Sequence, residues 1–365
     1  MKKLLLTAAS SAAIMIAAPA MANKSNVAQD GTANTANVDQ TGGVEGSATI
    51  NQGTTEAGFV ASDSEASITQ SDTPPTEANF STPTNEATIN QTGENMSASI
   101  DQANGSGTSA TNTATISQAS DGMNVLASGF SQEASVAQDG AGNAAIVAQG
   151  DTNAFPPPNR SGQSADVGQL GDDNAANVQQ RGNNGTATLT QDGNTNTSSI
   201  AQVGAGDSAT VSQSGDGNRA DSAQDGNFNT LTVTQFGTGN QSDIAQNGGS
   251  NFSDAVVFQD GSNNESAITQ GDSDIPPRSS NSADISQIGD GNISDVFQAS
   301  ANGGNVAMVE QIGSGNDSDI DQTGDNNRAI VGEQGETLAS FDNSSVIDQS
   351  GDGNLADVDQ DGDNG

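Results

Sequence analysis

Carboxylates are the one chemically active group this chain holds in quantity. It has 46 Asp and Glu against eight Lys and Arg, with no His, Cys, Tyr or Trp. Calcium binding would use such acids, because the ion takes six to eight oxygen ligands. The clusters Asp216-Gly217-Asn218, Gly289-Asp290-Gly291-Asn292 and Asp352-Gly353-Asn354 have the composition of calcium loops. Calcium-binding β-roll repeats, however, keep Asp at a fixed place in a nine-residue period, and Asp holds no constant turn position here. Acid–base cleavage of a polysaccharide on a β-helix would need a pair of acids that stands out from its surroundings, and none does. Diffuse screening by divalent cations asks only that outward acids lie within about a Debye length (~8 Å) of one another. The spacing fits that role best. No catalytic residue, cofactor site or fixed metal site is expected.

The residues that do keep a fixed spacing are amides. Twenty-six glutamines recur in one frame from Gln29 to Gln360, and fourteen of the twenty-five intervals are eleven residues. From Gln169 the spacing is strict: Gln180, Gln191, Gln202, Gln213, Gln224, Gln235 and Gln246 follow. The consensus is N-x-[AS]-x-[VI]-x-Q-x-G-x-x, as in Asn196, Ser198, Ile200 and Gln202. A buried amide without a partner costs several kcal/mol at worst. Identical amides stacked at ~4.8 Å supply that partner, each donating to one neighbour and accepting from the other. The candidate ladder residues are therefore these eight glutamines with Asn174, Asn196, Asn218, Asn229 and Asn240.

The elements that must position such ladders follow from the alternation. In Asn240-Gln241-Ser242-Asp243-Ile244-Ala245-Gln246, one face carries Asn240, Ser242, Ile244 and Gln246. Period two with acids on the other face is the pattern of a half-buried strand. The load of Gly, Asn, Ser and Thr opposes helix. Gly193, Gly204, Gly215, Gly226 and Gly237 stand two residues past a ladder glutamine, where glycine turns the chain at no steric cost. The expected fold is all-β, an amyloid-like β-solenoid with about 11 residues per strand-turn unit and about 22 per strand-arc-strand rung. Roughly thirteen rungs would stack to about 60 Å. Longer intervals carry Pro74, Pro75 and Pro83, Pro156 to Pro158, and Pro276 and Pro277. Proline cannot donate to a ladder, so loops are expected to leave the array near 71–90, 150–168 and 271–286.

Residues 1–22 read as a signal peptide. Lys2 and Lys3 precede an apolar run from Leu4 to Ile16 and an A-x-A site at Ala20-Met21-Ala22. The alternative, an uncleaved anchor, has too short an apolar run for a good span. The array then occupies 23–365, exported, with no membrane span. Without Lys2 and Lys3, six basic residues face 46 acidic ones, a net charge of −40. Nucleic acid and anionic lipid are repelled by such a surface. The 31% hydrophobic content is low enough for disorder, but disorder gives no reason to keep Asn, Ala, Val and Gln in phase. Repeats begin at Asn26-Val27-Ala28-Gln29 and run to Gln360 without a visible cap, and open sheet edges recruit further chains.

The unit Q-x-G-x-x-N-x-A-x-V-x-Q, as in Gln202 to Gln213 and Gln213 to Gln224 with small departures, resembles the curlin repeat of curli fibre subunits. The resemblance covers nearly all of 24–362 in over twenty in-phase copies. It implies an extracellular functional amyloid whose subunits stack into fibres that scaffold biofilm and promote aggregation and adhesion. It implies the chain itself as principal partner, with a nucleator and secretion machinery. The repeat number, the Pro-rich excursions and the lack of a Gly-rich N-terminal targeting segment depart from the family pattern. The alternative is a non-polymerising β-solenoid adhesin or surface protein, responsive to calcium. Ice binding by ranked Thr is a weaker fit, because Thr186, Thr188, Thr190, Thr210, Thr232 and Thr234 are scattered on outward positions.

Overall fold

In a computed structural model of the chain, the described residues are 13–15, 23–41, 46–53, 63–72, 84–93, 95–104, 111–119, 132–150, 162–272, 280–300, 303–334 and 343–361. All eight loop prolines named above, and the expected cleavage position, lie outside them. Every regular element among the described residues is a strand, and no helix there is long and apolar enough to cross a membrane.

The chain divides into two units, with β12 (Ala175–Asn183) contributing residues to both. The first unit holds β1 (Ala13–Met15), β2 (Lys24–Gln29), β3 (Thr35–Thr41), β4 (Ser47–Gly53), β5 (Glu65–Asp72), β6 (Asn85–Thr92), β7 (Met96–Asn104), β8 (Asn112–Ala119), β9 (Gln132–Asp139), β10 (Ala144–Gly150) and β11 (Ser164–Leu170). Odd strands β1 to β11 form one parallel sheet in chain order, and even strands β2 to β10 form another. Three residues of the expected leader thus pair as a short strand with Asn37–Asp39 of β3.

The second unit repeats the arrangement. Its odd strands are β13 (Thr186–Asp192), β15 (Ser208–Asp216), β17 (Thr230–Thr238), β19 (Asp254–Ser262), β21 (Ser282–Asp290), β23 (Val306–Ile312), β25 (Arg328–Gln334) and β27 (Leu355–Asp361). Its even strands are β14 (Thr197–Ala205), β16 (Arg219–Asn227), β18 (Gln241–Asn251), β20 (Glu265–Asp272), β22 (Ile293–Ser300), β24 (Asp317–Thr323) and β26 (Ser344–Ser350). Each strand pairs in parallel with the next-but-one, so Ala187, Ala209 and Leu231 fall in one column and Leu189, Val211 and Val233 in another. The rung is 22 residues wherever no insertion intervenes, as in Ser198↔Ala220↔Ser242. This is the expected β-solenoid.

The alternation sends alternate side chains inward. Ala, Ile, Val, Leu and Gln columns are buried, including Ile50, Ile68, Ile116, Val233 and Ile285, all wholly enclosed. Most arcs among the described residues have two positive-φ positions, a glycine and a second residue two further on, and Asn and Gly fill the second often: Asn184, Gly206 and Asn263. Phe228 and Phe252 occupy that position too, exposed and stacked with ring centroids 5.2 Å apart. Such a backbone is unusual for a bulky residue. The Phe228 ring fits because Gly206 in the rung below has no Cβ, which would lie 2.6 Å from the ring.

Candidate functional site: the amide ladders

The eight strictly spaced glutamines alternate between odd and even strands, and each sits at the inward end of its strand beside the arc. In the second unit Gln191 Nε2 donates to Gln213 Oε1 (2.9 Å), Gln213 to Gln235 (2.9 Å) and Gln235 to Gln259 (2.8 Å). The even column runs Gln202 to Gln224 (2.9 Å), Gln224 to Gln246 (3.0 Å) and Gln246 to Gln270 (3.0 Å). In the first unit Gln138 donates to Gln169 (2.7 Å) and Gln149 to Gln180 (2.8 Å). Each of these Gln–Gln bonds runs the same way: the amide earlier in the chain donates.

Each Nε2 has a second hydrogen, which crosses to the other sheet. Gln213 donates to the Thr197 carbonyl (3.2 Å), Gln224 to Ser208 (3.1 Å) and Gln235 to Arg219 (3.0 Å). In each case the acceptor lies sixteen residues earlier, at the start of the preceding strand. One buried glutamine therefore binds the rungs on either side of it and closes its own rung.

The asparagines work differently from the side-chain ladder expected of them. Asn174 Oδ1 accepts the Asn196 backbone N–H (3.0 Å), Asn196 that of Asn218 (3.0 Å) and Asn218 that of Asn240 (3.0 Å). Their Nδ2 groups donate to glycine carbonyls: Asn174 to Gly193 (2.7 Å), Asn196 to Gly215 (2.7 Å), Asn218 to Gly237 (3.0 Å) and Asn240 to Gly261 (3.1 Å). The side chain is a methylene shorter than Gln, so it stays at the arc and ties backbone to backbone. Asn229 departs again: its Oδ1 accepts from Ser253 N–H (3.1 Å), but its Nδ2 has no partner. The pairing of β16 with β18 shifts after Gln224, setting Gly226 against Ser250, so the regular glycine carbonyl is displaced from it.

The turn glycines Gly193, Gly204, Gly215, Gly226 and Gly237 all take positive φ, from 102° to 146°. They also form two close-packed columns, Gly193 with Gly215 and Gly237, and Gly204 with Gly226. A Cβ on Gly193 would lie 2.1 Å from the Gly215 carbonyl oxygen, and one on Gly215 2.0 Å from that of Gly237. Glycine is required here twice over, by conformation and by space.

Two acids occupy amide positions. Asp207 takes the Asn place of the consensus before β15, and its Oδ1 accepts the Asn229 N–H (2.9 Å). It is almost wholly buried, and burial pushes its carboxyl up to about 6, with the Asp225 charge adding to the rise against the hydrogen bond from Asn229. Glu333, not Gln334, falls in register with Gln311 and Gln360. The interval of twelve before Gln334 is therefore no longer turn; the ladder position itself has changed residue. On the outer faces, partial burial raises the carboxyls of Asp254, Asp284 and Asp295, helped at Asp284 by Asp254 and at Asp295 by Asp319 and Asp321. Among the described residues no group of three or more acids is placed to hold a metal ion.

Two sheets of in-register parallel strands, joined by side-chain amides, define a β-solenoid repeat protein. Comparison with protein families matches the curlin associated repeat at residues 171–204, 182–215, 204–237 and 304–335. Those stretches, about a quarter of the chain, carry curlin-type repeats. A comparison with curated proteins finds no match.

Proposed function

We propose that the mature chain is an exported structural subunit that polymerises edge to edge into extracellular, amyloid-like fibres serving biofilm matrix, cell aggregation and adhesion. The observation that carries this reading is the ladder's polarity together with the half-buried faces of the outermost full strands among the described residues. At β2, Gln29 Nε2 is committed to Gln52 (2.7 Å), so its carbonyl oxygen faces the free edge. At the other extreme, Gln349 on β26 and Gln360 on β27 each give one Nε2 hydrogen to a carbonyl, of Arg328 and Ser344, so the second is the donor that a further rung would take up. Ala356, Val358 and Gln360 are only half-buried, whereas Ala329 and Val331, in register one rung in, are enclosed. Val27 and Gln29 are likewise half-buried beside the enclosed Ile50 and Gln52. An acceptor edge and a donor edge are complementary, and a head-to-tail contact of this kind does not close. Self-association then continues until monomer is exhausted. No enzyme activity enters this reading, and a nucleator and secretion machinery are expected partners.

The test uses the mature chain with and without preformed seeds, followed by thioflavin fluorescence and fibre diffraction. Seeded growth with reflections near ~4.8 and ~10 Å supports the subunit; a monomer that stays soluble and β-rich refutes it. One observation favours the second reading, a non-polymerising adhesin, for a chain that keeps residues 1–22: β1 covers part of the free edge of β3. If that reading holds, the chain retaining residues 1–22 remains monomeric under the same seeding.

A further inference from the structure

Asp207 breaks the asparagine column in a way that leaves two acceptors facing each other. In the regular columns, Nδ2 of each Asn donates to the carbonyl of the glycine nineteen residues on, as Asn174 does to Gly193, Asn196 to Gly215 and Asn218 to Gly237. For position 207 that glycine is Gly226. The point where a Cβ on Gly204 would fall lies 1.6 Å from the Gly226 oxygen and 3.0 Å from Asp207 Oδ2, so both oxygens crowd the same spot. Oδ2 is buried and has no hydrogen-bond partner, while Oδ1 is occupied by the Asn229 N–H. An amide would place N–H at Oδ2; a carboxylate has none to give.

We propose that Asp207 is an acid-operated latch: protonated at Oδ2 it donates to the Gly226 carbonyl and completes the asparagine pattern, and ionised it loosens the junction of β14, β15 and β16. The proton comes from bulk water and returns to it, with no other group consumed. The carboxyl already lies well above the usual range, in the direction that favours the donor form. The groups around it reinforce this. Asp225 of β16 is the charge that bears on it, and it repels. β14 and β17 carry no ionisable side chain, Asp192 of β13 and Asp216 of β15 lie at the far ends of their strands, and Arg219 of β16 is paired with Asp221. No base faces the carboxyl from these strands. The inference concerns the rungs within one chain and stands whether or not chains polymerise.

The test compares the full mature chain with its Asp207→Asn variant by hydrogen exchange from pH 4 to 7.5, corrected for intrinsic exchange rates. The reporters are the Asn229 and Thr186 amides, bonded to Asp207 Oδ1 and to its backbone carbonyl. In the unaltered chain their protection should fall as pH rises through about 6, by up to about a hundredfold for a shift of some two pH units. In Asp207→Asn it should stay flat and be the higher of the two at pH 7.5. Identical profiles, or a variant less protected than the unaltered chain at pH 7.5, would overturn the proposal. Asp225→Asn separates local from global charge: it should move the fall in protection to lower pH without abolishing it, and no movement counts against the assigned geometry.

Discussion

Replacing Gln213 with leucine tests the ladder at its centre. Gln213 is enclosed, accepts from Gln191 and donates to Gln235 and to the Thr197 carbonyl, at 2.9, 2.9 and 3.2 Å. Leucine has nearly the same volume and no polar atom. Three buried groups then lose this partner: an N–H of Gln191, which keeps its bond to Ala175, Oε1 of Gln235, and the Thr197 carbonyl. Each costs about 1–2 kcal/mol when left unmet in the interior. The sum, about 3–6 kcal/mol, is offset by about 1–2 kcal/mol from burying the more apolar side chain, for a net loss of about 1–5 kcal/mol. The assay is urea unfolding of soluble mature chain followed by circular dichroism, with Thr210→Ala on the outward face of the same strand as control. The control should stay within about 0.5 kcal/mol. If Gln213→Leu costs less than about 1 kcal/mol, the amide columns do not hold the rungs together and the account of the fold is wrong.

Three further outcomes follow from the same geometry. Gly215→Ala puts a Cβ 2.0 Å from the Gly237 oxygen at φ +113°, so a stability loss of about 3 kcal/mol or more is expected, read as a lowered thermal midpoint; an unchanged midpoint would falsify the packed glycine column. Leu355→Pro removes an N–H pointing away from the protein, since Arg328, in register beneath it, donates outward to the Asn354 carbonyl. Proline is tolerated at the first residue of a strand, so monomer stability should hold while seeded elongation slows roughly tenfold or more; equal elongation rates would show that β27 is not a growing edge. The carboxyls of Asp254, Asp284 and Asp295 are raised in the folded chain, so the fold binds more protons than the unfolded chain just above the ordinary carboxylate range. The destabilisation is absent below that range and grows as pH rises through it. Lag times for assembly should therefore shorten on acidification, and on adding divalent cations at neutral pH; lag times indifferent to both would remove outward charge as a brake.

Much of the architecture was legible in the primary structure because a solenoid repeats its local rules. Period-two alternation around Ile244 and Val233 settles which side chains face inward, and the glycine after each glutamine settles where the chain turns. Both depend on neighbours within seven residues. The eleven-residue interval also implies which residues stack, since two strand-turn units make one rung. The departures were harder to read. Gln334 keeps an approximate spacing and looks like a ladder member, yet strand pairing through Ala329 and Val331 puts Glu333 there instead. Asp207 could have been flagged, because it is the acid at a consensus Asn position, but its burial and the opposed Gly226 oxygen could not.

What the sequence determined by itself is thus the set of repeating positions: which residues are inward amides, which are apolar, which are turns. That much is dictated by backbone periodicity and the conformational freedom of glycine. Tertiary structure decided what each amide bonds to. Gln and Asn look interchangeable in the repeat, but Gln reaches the next rung's side chain and the opposite sheet, while Asn, one methylene shorter, bonds mostly to backbone at the arc. Hydrogen-bond partners depend on distances between residues sixteen or more apart in the chain, and only the closed rung sets those distances.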